Sequence, residues 1–294
     1  MSEKIKVLLI TGIVTNEHDP RVNPMIRFLL ESTDRFTVKI TEEFKGCTAE
    51  TLEGYDLLFI NYDGKIDVAT PFVSWGKTAE KAVYDFVANG GGAVVYHSSC
   101  FNPQQWEYPD EYRKLVGFDY DFTDLGRGLR KSPKLDLIVD TCVGSHPIVE
   151  GCAKRWSTVQ EDFFVNMKQV DPDVTVLATV KDSLEDYDPE LMQEHLKVFF
   201  AGLNFADLEG MGADVPVAWV HNYGKGRVMV LSIGHGPDTI RRPNFTAIIA
   251  RGCEWCATGE ITIPYPDIQG IKRLNAWPFY NDITWQDFAK LTAF

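Results

Sequence analysis

Residues 85–100 read DFVANGGGAVVYHSSC, a pattern that predicts a helix end, a tight turn, a buried strand and a polar loop. The glycines at positions 90–92 can take backbone angles closed to other residues, so they end the helix tightly. Residues 93–96 are a short apolar run, typical of a strand covered on both faces. His97 follows at once, which places a titratable side chain at the carboxyl end of that strand. In open α/β sheets, ligands bind at this edge.

The first third of the chain alternates between strands and helices. Strands are predicted at residues 4–12, 36–40 and 55–61, and a helix at residues 77–88 leads into the strand at 93–96. Alternation of this kind implies parallel pairing with right-handed crossovers. The sequence therefore predicts an α/β domain with a mostly parallel sheet and helices on both faces.

A late hairpin interrupts the alternation. Residues 215–234, VPVAWVHNYGKGRVMVLSIG, are two β-rich runs joined by a glycine-containing turn at 223–227. An amphipathic helix is predicted at residues 244–257. Strands are also predicted at residues 135–139, 174–180 and 199–203, and short helices at 111–116 and 284–290. A further helix begins at Asp19 and Pro20, with Ile26, Leu29 and Leu30 on its apolar face.

The composition bounds the class of protein. The 294 residues are 45% hydrophobic and 12% aromatic, enough for a sizeable core. A formal net charge of −13 opposes binding to nucleic acid or to an anionic membrane, because both are polyanions. No apolar run approaches the roughly 20 residues of a transmembrane helix. Residues 1–12 enter a strand without a signal-peptide pattern, so we expect a cytoplasmic protein.

The six cysteines are scattered and too few to form a disulfide framework in a chain of this length. Cys253 and Cys256 form a C-x-x-C motif, but it lies near the end of the predicted helix. Because no second pair stands at zinc-site spacing, we interpret these two residues as buried free thiols.

Three histidines mark a candidate site. His18, His97 and His235 each follow a predicted strand, and two further loops carry Asp63 and Glu161. If the strands are parallel, these loops share one edge of the sheet. Histidine suits proton transfer near neutral pH, and nearby carboxylates would orient it. The other interpretation is that polar residues simply end strands and that His235 caps a helix; three histidines at one edge favour a site.

The same side chains raise the question of a metal. His18, His97, His235 and Glu161 offer nitrogen and oxygen ligands that suit a divalent metal, although no fixed spacing supports one. The sequence requires no cofactor, and a divalent metal stays open. The loop after the first strand lacks the glycine pattern of a dinucleotide-binding fold.

Other residues have both a binding and a structural interpretation. Trp106 and Tyr108 are of the kind that stack on sugar rings, or they pack in the core. His146 is either a substrate contact or a turn residue before a proline. His195 and His221 look structural, since one lies in an acidic stretch and the other on the reversed arm of the hairpin.

Cys100 is a candidate nucleophile. A thiol three residues after a strand could be activated by a histidine. A nucleophile elbow, however, needs small residues on both sides of the nucleophile, and Cys100 stands between Ser99 and Phe101. Thiol chemistry is therefore kept as an alternative.

Taken together, these elements resemble the trehalose-utilisation (ThuA-like) family of the class I glutamine-amidotransferase-like superfamily. The matching elements are the first-strand loop with His18, FVANGGGAVVYH ending at His97, Trp106-Glu107-Tyr108, His146-Pro147-Ile148, Gln160-Glu161-Asp162-Phe163, YGKGRVMVLSIGH ending at His235, and the helix with Trp255. The resemblance spans residues 5–258. It implies a flavodoxin-like fold and a role in using trehalose or related disaccharides through keto-sugar derivatives. Residues 1–258 would form the domain. Residues 259–294 would be an extension packed on it or at an interface of a homo-oligomer.

Two features depart from the family pattern. Gln160 and Phe163 replace the usual residues of the acidic-Glu-x-aromatic element, so only Glu161 is carried over. The amidotransferase nucleophile is also absent, since His97 stands where its elbow would begin.

The functional hypothesis is acid–base chemistry on a small-molecule carbohydrate that carries a ketone. His97 would be the base or acid and Glu161 its partner, while His235 and His18 would bind hydroxyls, stabilise an enolate or hold a metal. Substrate contacts are expected from Trp106, Tyr108, Asp63 and His146. The alternatives are a thiol-dependent amidohydrolase that uses Cys100 and a non-catalytic sugar-binding or regulatory protein.

Overall fold

The computed structural model describes residues 3–12, 19–62, 64, 73–100, 106–120, 130–190, 192 and 194–265. The strands of the main sheet are β1 (Ile5–Ile10), β2 (Phe36–Thr41), β3 (Leu57–Ile60), β4 (Gly92–Tyr96), β5 (Ile138–Thr141), β6 (Arg155–Ser157), β7 (Thr175–Lys181), β8 (Asp214–Tyr223) and β9 (Gly226–Leu231). The helices are α1 (Val22–Ser32), α2 (Ala49–Leu52), α3 (Lys77–Ala88), α4 (Pro109–Val116), α5 (Glu194–Phe199), α6 (Pro237–Ile240) and α7 (Pro243–Thr258). Two small sheets pair Phe118–Asp119 with Lys168–Gln169 and Arg130–Lys131 with Phe164–Val165.

The nine strands form one sheet in the order β2-β1-β3-β4-β9-β8-β7-β5-β6. The first five of these are parallel to one another. The last four continue the sheet by antiparallel pairing. Because direction reverses at each antiparallel step, β7 and β6 run with the parallel strands, whereas β8 and β5 run against them. One edge of the sheet therefore collects the carboxyl ends of the seven strands that run in this direction, β2, β1, β3, β4, β9, β7 and β6.

The predicted fold class is confirmed: the structure is an α/β sheet with a parallel half, helices on both faces and the late hairpin. Helix α3 has the predicted bounds, and Gly90, at φ +120°, lies just beyond its end. The predicted strand at 199–203 is wrong, because this segment is the end of α5 and a turn. The strand predicted at 135–139 begins at Ile138 instead, and Leu135 makes only an isolated bridge to Glu161.

Helices cover both faces of the sheet, and successive residues of a strand point to opposite faces. In β1, Val7 and Leu9 pack on the side that carries α1 and α7. Leu8 and Ile10 pack on the side that carries α3 and α4. This double cover explains why the parallel strands read as continuous apolar runs.

The end of the described chain packs on α7. The Glu254 carboxylate is fully buried and accepts hydrogen bonds from the backbone N–H groups of Thr262 and Ile263. Residues 266–294, most of the predicted extension, lie outside the described residues. Among the helices of the described segments, none is long and apolar enough to cross a membrane.

Candidate functional site

The site begins at the carboxyl end of β4. His97 takes φ +47°, a left-handed conformation that costs a non-glycine residue energy, and it starts a single 3-10 turn, His97–Cys100. The ring is fully buried. A strained histidine at this edge of an α/β sheet is a feature that functional sites use more often than packing does.

His97 meets His235, which follows β9, the next strand in the sheet. His97 Nε2 lies 3.1 Å from His235 Nδ1, and His97 Nδ1 lies 3.0 Å from the carbonyl oxygen of Ser232. A carbonyl can only accept, so Nδ1 of His97 carries the proton and donates it. The neutral His97 ring therefore presents a lone pair at Nε2, the atom that faces His235.

Asp162 lies against both histidines. Its Oδ1 is 3.5 Å from His97 Nε2 and its Oδ2 is 3.4 Å from His235 Nδ1, and the carboxylate is fully buried. His97, Asp162 and His235 thus form one buried group, which we call the His–Asp–His cluster.

Glu161, the predicted partner of His97, has a different position. Its Oε2 accepts hydrogen bonds from the backbone N–H groups of Gly234 (2.8 Å) and His235 (2.9 Å), and its Oε1 accepts one from Gly236 at 3.3 Å. Burial, followed by the nearby charge of Asp162, raises the pKa of Glu161 to about 7. The described contacts therefore make Glu161 the support of the loop that carries His235, and Asp162 the carboxylate beside His97.

The exchange of roles between these two acids has a simple cause. Adjacent side chains of an extended segment point to opposite sides, so Glu161 and Asp162 cannot both face His97. The bridge between Leu135 and Glu161 fixes which one does, since it holds this segment with N–H···O bonds of 2.7 and 2.8 Å.

Lys134 lies beside the cluster. Its Nζ lies 2.6 Å from His235 Nε2, on the other side of the ring from His97. Lys134 comes just before the reversed strand β5, and the amino end of a reversed strand lies at the same edge as the carboxyl ends of the parallel strands.

Two of the predicted site residues, His18 and Asp63, lie outside the described residues. Asp19, next to His18, donates its backbone N–H to the carbonyl oxygen of His235 at 3.4 Å. Tyr62, next to Asp63, donates its backbone N–H to Ser99 Oγ at 2.7 Å. The described neighbours Asp19 and Tyr62 are thus bonded to the loops that follow β9 and β4.

The predicted sugar-stacking residues differ in exposure. Trp106 is buried, with its ring stacked on Tyr112 at 4.6 Å and edge-on to Trp75 at 4.6 Å. Tyr108 is 37% exposed, and its backbone N–H is held by the carboxylate of Glu80 at 3.1 Å. The described contacts therefore give Trp106 a packing role, whereas part of the Tyr108 side chain is exposed to solvent.

His146 and His221 do not join the cluster. His146 follows β5, a reversed strand, and therefore lies at the opposite edge, where its ring packs edge-on against Trp255 at 4.8 Å. His221 is buried in β8, with ring nitrogens 3.0 Å from Asp171 Oδ2 and 3.0 Å from the Leu115 carbonyl. This agrees with its interpretation as structural.

Cys100 lacks the surroundings of an activated nucleophile. Its side chain is 1% exposed, lies in the core on the α3–α4 side, and burial raises the pKa of its thiol well above the ordinary value. Cys253 and Cys256 are buried free thiols, as predicted. Burial likewise raises the pKa of each.

The cluster offers two imidazoles and one carboxylate in contact with one another, and the Lys134 amine contacts His235. The lone pair at His97 Nε2 can accept a proton or bind a cation, and the same holds for His235 Nδ1 when its proton sits on Nε2. Such a set can move a proton or hold a metal, but no described side chain here is an exposed nucleophile.

Fold and site together define an α/β protein of the flavodoxin-like type with a His–Asp–His cluster at the carboxyl edge. Residues 6–256 match the family model described as trehalose utilisation. The chain therefore belongs to the trehalose-utilisation (ThuA) family, and the predicted resemblance is confirmed.

Solved structures agree with this assignment at the level of the fold. A putative ThuA-like protein from Parabacteroides merdae ATCC 43184 is 20% identical, with a TM-score of 0.66 over 90% of this chain and 94% of its own. Another, from Bacteroides uniformis ATCC 8492, is 16% identical, with a TM-score of 0.59 over 89% and 95%. A cytoplasmic protein from Salmonella typhimurium LT2 is 13% identical, with a TM-score of 0.55 over 86% and 100%. A comparison with curated proteins found no match.

Proposed function

We propose that the protein is an enzyme that processes a keto-sugar derived from trehalose or a related disaccharide, with the His–Asp–His cluster as its reaction centre. The observation that carries the proposal is that His97 and His235, far apart in the sequence, meet Asp162 at the ligand-binding edge of the sheet. The match to a trehalose-utilisation family supports a carbohydrate substrate.

The chemistry follows from the ketone. A carbonyl group acidifies the neighbouring C–H bond, so a modest base can remove that proton. The protonated base then returns the proton to another atom of the enolate, or gives it to the glycosidic oxygen that the enolate expels. Isomerisation and elimination both begin with this step. The buried surroundings strengthen the electrostatic interactions that stabilise the enolate.

In the proposed reaction, each residue has a part that its contacts support. His97 Nε2 is the reactive position of the cluster, because Ser232 fixes the ring proton on the other nitrogen. Glu161 holds the backbone of residues 234–236 and so positions His235. Tyr108, with its free surface, is kept as a substrate contact.

Solvent exchange tests this proposal directly. Wild-type protein is incubated in D₂O with a panel of 3-keto-disaccharides, and proton NMR follows both product formation and loss of the C–H signals beside the ketone. With at least one sugar, we expect the wild-type protein to exchange the C–H proton or to form product. We expect His97→Ala to do neither. Wild-type behaviour of His97→Ala contradicts the proposal.

The unfolding temperature, measured with the same sugars, separates an enzyme from a protein that only binds sugar. If the sugars raise the unfolding temperature but emerge unchanged and unexchanged, the protein is a sugar-binding or regulatory protein instead.

Asp182→Asn is the control for folding and handling, because Asp182 is a buried aspartate that accepts a hydrogen bond from Tyr187 at 2.6 Å, outside the cluster.

A further inference from the structure

We infer that His97, Asp162 and His235 bind one divalent transition-metal cation. Each residue offers one ligand atom, these atoms all lie within 4.8 Å of one another, and all three residues are buried. The cation's part in catalysis rests on the proposed function, whereas its binding does not.

The distances within the cluster are those of ligands that surround one ion. His97 Nε2 and His235 Nδ1 lie 3.1 Å apart, and each faces its own oxygen of the Asp162 carboxylate, Oδ1 at 3.5 Å from His97 and Oδ2 at 3.4 Å from His235. Ligands about 2.0–2.2 Å from a cation stand roughly 3.3–3.6 Å apart in a tetrahedron and about 3.0 Å apart at neighbouring corners of an octahedron. The three measured distances lie within the range that the octahedral and tetrahedral values span.

Hydrogen bonding among the three side chains accounts for only part of their spacing. A contact of 3.1 Å between His97 Nε2 and His235 Nδ1 is an ordinary N–H···N distance. The contacts from Asp162, at 3.4 and 3.5 Å, exceed the roughly 2.7–2.9 Å of a charge-assisted hydrogen bond between imidazole and carboxylate. A cation between the three groups explains all three positions at once.

The support behind His97 is one that metal sites use. A metal-binding histidine donates its other ring N–H to a carbonyl or carboxylate, and His97 Nδ1 donates to the Ser232 carbonyl at 3.0 Å. His235 is held through its backbone N–H by Glu161 at 2.9 Å. Both ligand-bearing loops are thus fixed before any cation arrives.

The donor set selects the class of cation. Two imidazole nitrogens and one carboxylate suit Zn²⁺, Mn²⁺ or Fe²⁺, whereas Mg²⁺ and Ca²⁺ prefer oxygen ligands throughout. Three protein ligands on one side leave coordination positions for a ligand from outside. The carbonyl or hydroxyl oxygen of a keto-sugar fits such a position, where the cation would polarise it.

The positive charge of Lys134 disfavours cation binding at the cluster, so a substitution at Lys134 tests the direction of the change in cation affinity. A cation on His235 Nδ1 keeps the ring proton on Nε2, which faces the Lys134 ammonium group at 2.6 Å. Two donors then face each other, and two positive charges stand on either side of one ring. Lys134→Met removes both conflicts and keeps the aliphatic stem, so it should tighten cation binding.

Calorimetric titration of the full-length chain, stripped with EDTA, tests the inference without any sugar. We expect one Mn²⁺ or Zn²⁺ per chain, much weaker binding of Mg²⁺, at least ~100-fold weaker Mn²⁺ binding in Asp162→Asn and His97→Ala, and tighter binding in Lys134→Met. The control Asp182→Asn should bind as wild type does. Mn²⁺ is the deciding probe, because thiols elsewhere in the chain bind Zn²⁺.

The contrary results are equally definite. Absence of 1:1 Mn²⁺ binding, or equal Mn²⁺ affinity in Asp162→Asn and Asp182→Asn, overturns the metal site. Near-UV circular dichroism in EDTA verifies that each variant is folded, and His235→Asn replaces any variant that is not. If Mn²⁺ does not bind, solvent exchange and turnover still test the proposed function. If the cation binds but no sugar is converted, the proposed function is wrong and the metal site stands.

Discussion

His97 Nε2 lies 3.1 Å from His235 Nδ1, although the two residues are 138 positions apart in the chain. The contact follows from topology, because β4 and β9 are parallel neighbours and each ends directly before its histidine loop. Asp162 reaches the same point from the far half of the sheet, where β6 runs in the same direction as β4.

The loop that carries His235 depends on Gly234. This residue has φ +117°, and a Cβ placed on it would lie 2.0 Å from the hydroxyl oxygen of Tyr96. We expect Gly234→Ala to lower the free energy of unfolding by roughly 2–4 kcal/mol, because it adds backbone strain and a clash with a buried ring. Urea unfolding measures the loss.

Gly236 provides the matched control for that substitution. It has φ −119°, and a Cβ on it meets nothing within 4 Å. Gly236→Ala should therefore stay within about 1 kcal/mol of wild type. Equal stability of the two variants would show that Gly234 is not required by the packing against Tyr96.

His146 should make stability depend on pH. Burial, followed by the positive charge of Arg251, lowers the pKa of His146 below its ordinary value. The unfolded chain then binds more protons than the folded one below about pH 6.5, so stability is present above that pH and falls as the pH is lowered.

NMR titration of the histidine rings, with His146→Asn for assignment, checks this expectation. The Asn Oδ1 can still accept the N–H of Ile148, which His146 Nδ1 accepts at 3.2 Å. We expect a smaller loss of stability between pH 7 and pH 5 in the variant than in wild type. An ordinary or raised His146 pKa would show that the ring is better solvated than the contact with Trp255 implies.

Alkylation should separate Cys100 from the more accessible thiols. Cys100 is 1% exposed with a raised pKa, whereas Cys142 is only partly buried. Because the thiolate is the reactive form, iodoacetamide should modify Cys142 well before Cys100 in the folded protein. Peptide mass spectrometry over time measures the order; rapid modification of Cys100, suppressed by a sugar, would favour the thiol-dependent alternative.

The sequence predicts the parallel half of the fold well because its signals are local. The helix Lys77–Ala88 and the hairpin of β8 and β9 carry their own periodicity and turn residues. The segment at 199–203 lacks such periodicity, and an apolar run that short is compatible with a strand or a helix. Its position at the end of α5 came only from the structure.

The site was partly predictable for the same reason. His97 and His235 follow parallel strands, and the rule that ligands bind at carboxyl ends finds both. Lys134 escapes that rule because it precedes a strand whose reversed direction the sequence does not show. The sequence predicts Glu161 as the partner of His97, whereas the structure has Asp162 there, because the bridge from Leu135 to Glu161 decides which side chain faces the histidines.

Turnover by Asp162→Asn tests most directly whether the His–Asp–His cluster is the reaction centre. With a keto-disaccharide that the wild-type protein converts, we predict a kcat at least ~100-fold lower in Asp162→Asn and a near wild-type kcat in Asp182→Asn, because Asp162 contacts both histidines and Asp182 bonds to Tyr187. A folded Asp162→Asn variant with the wild-type kcat would contradict the account.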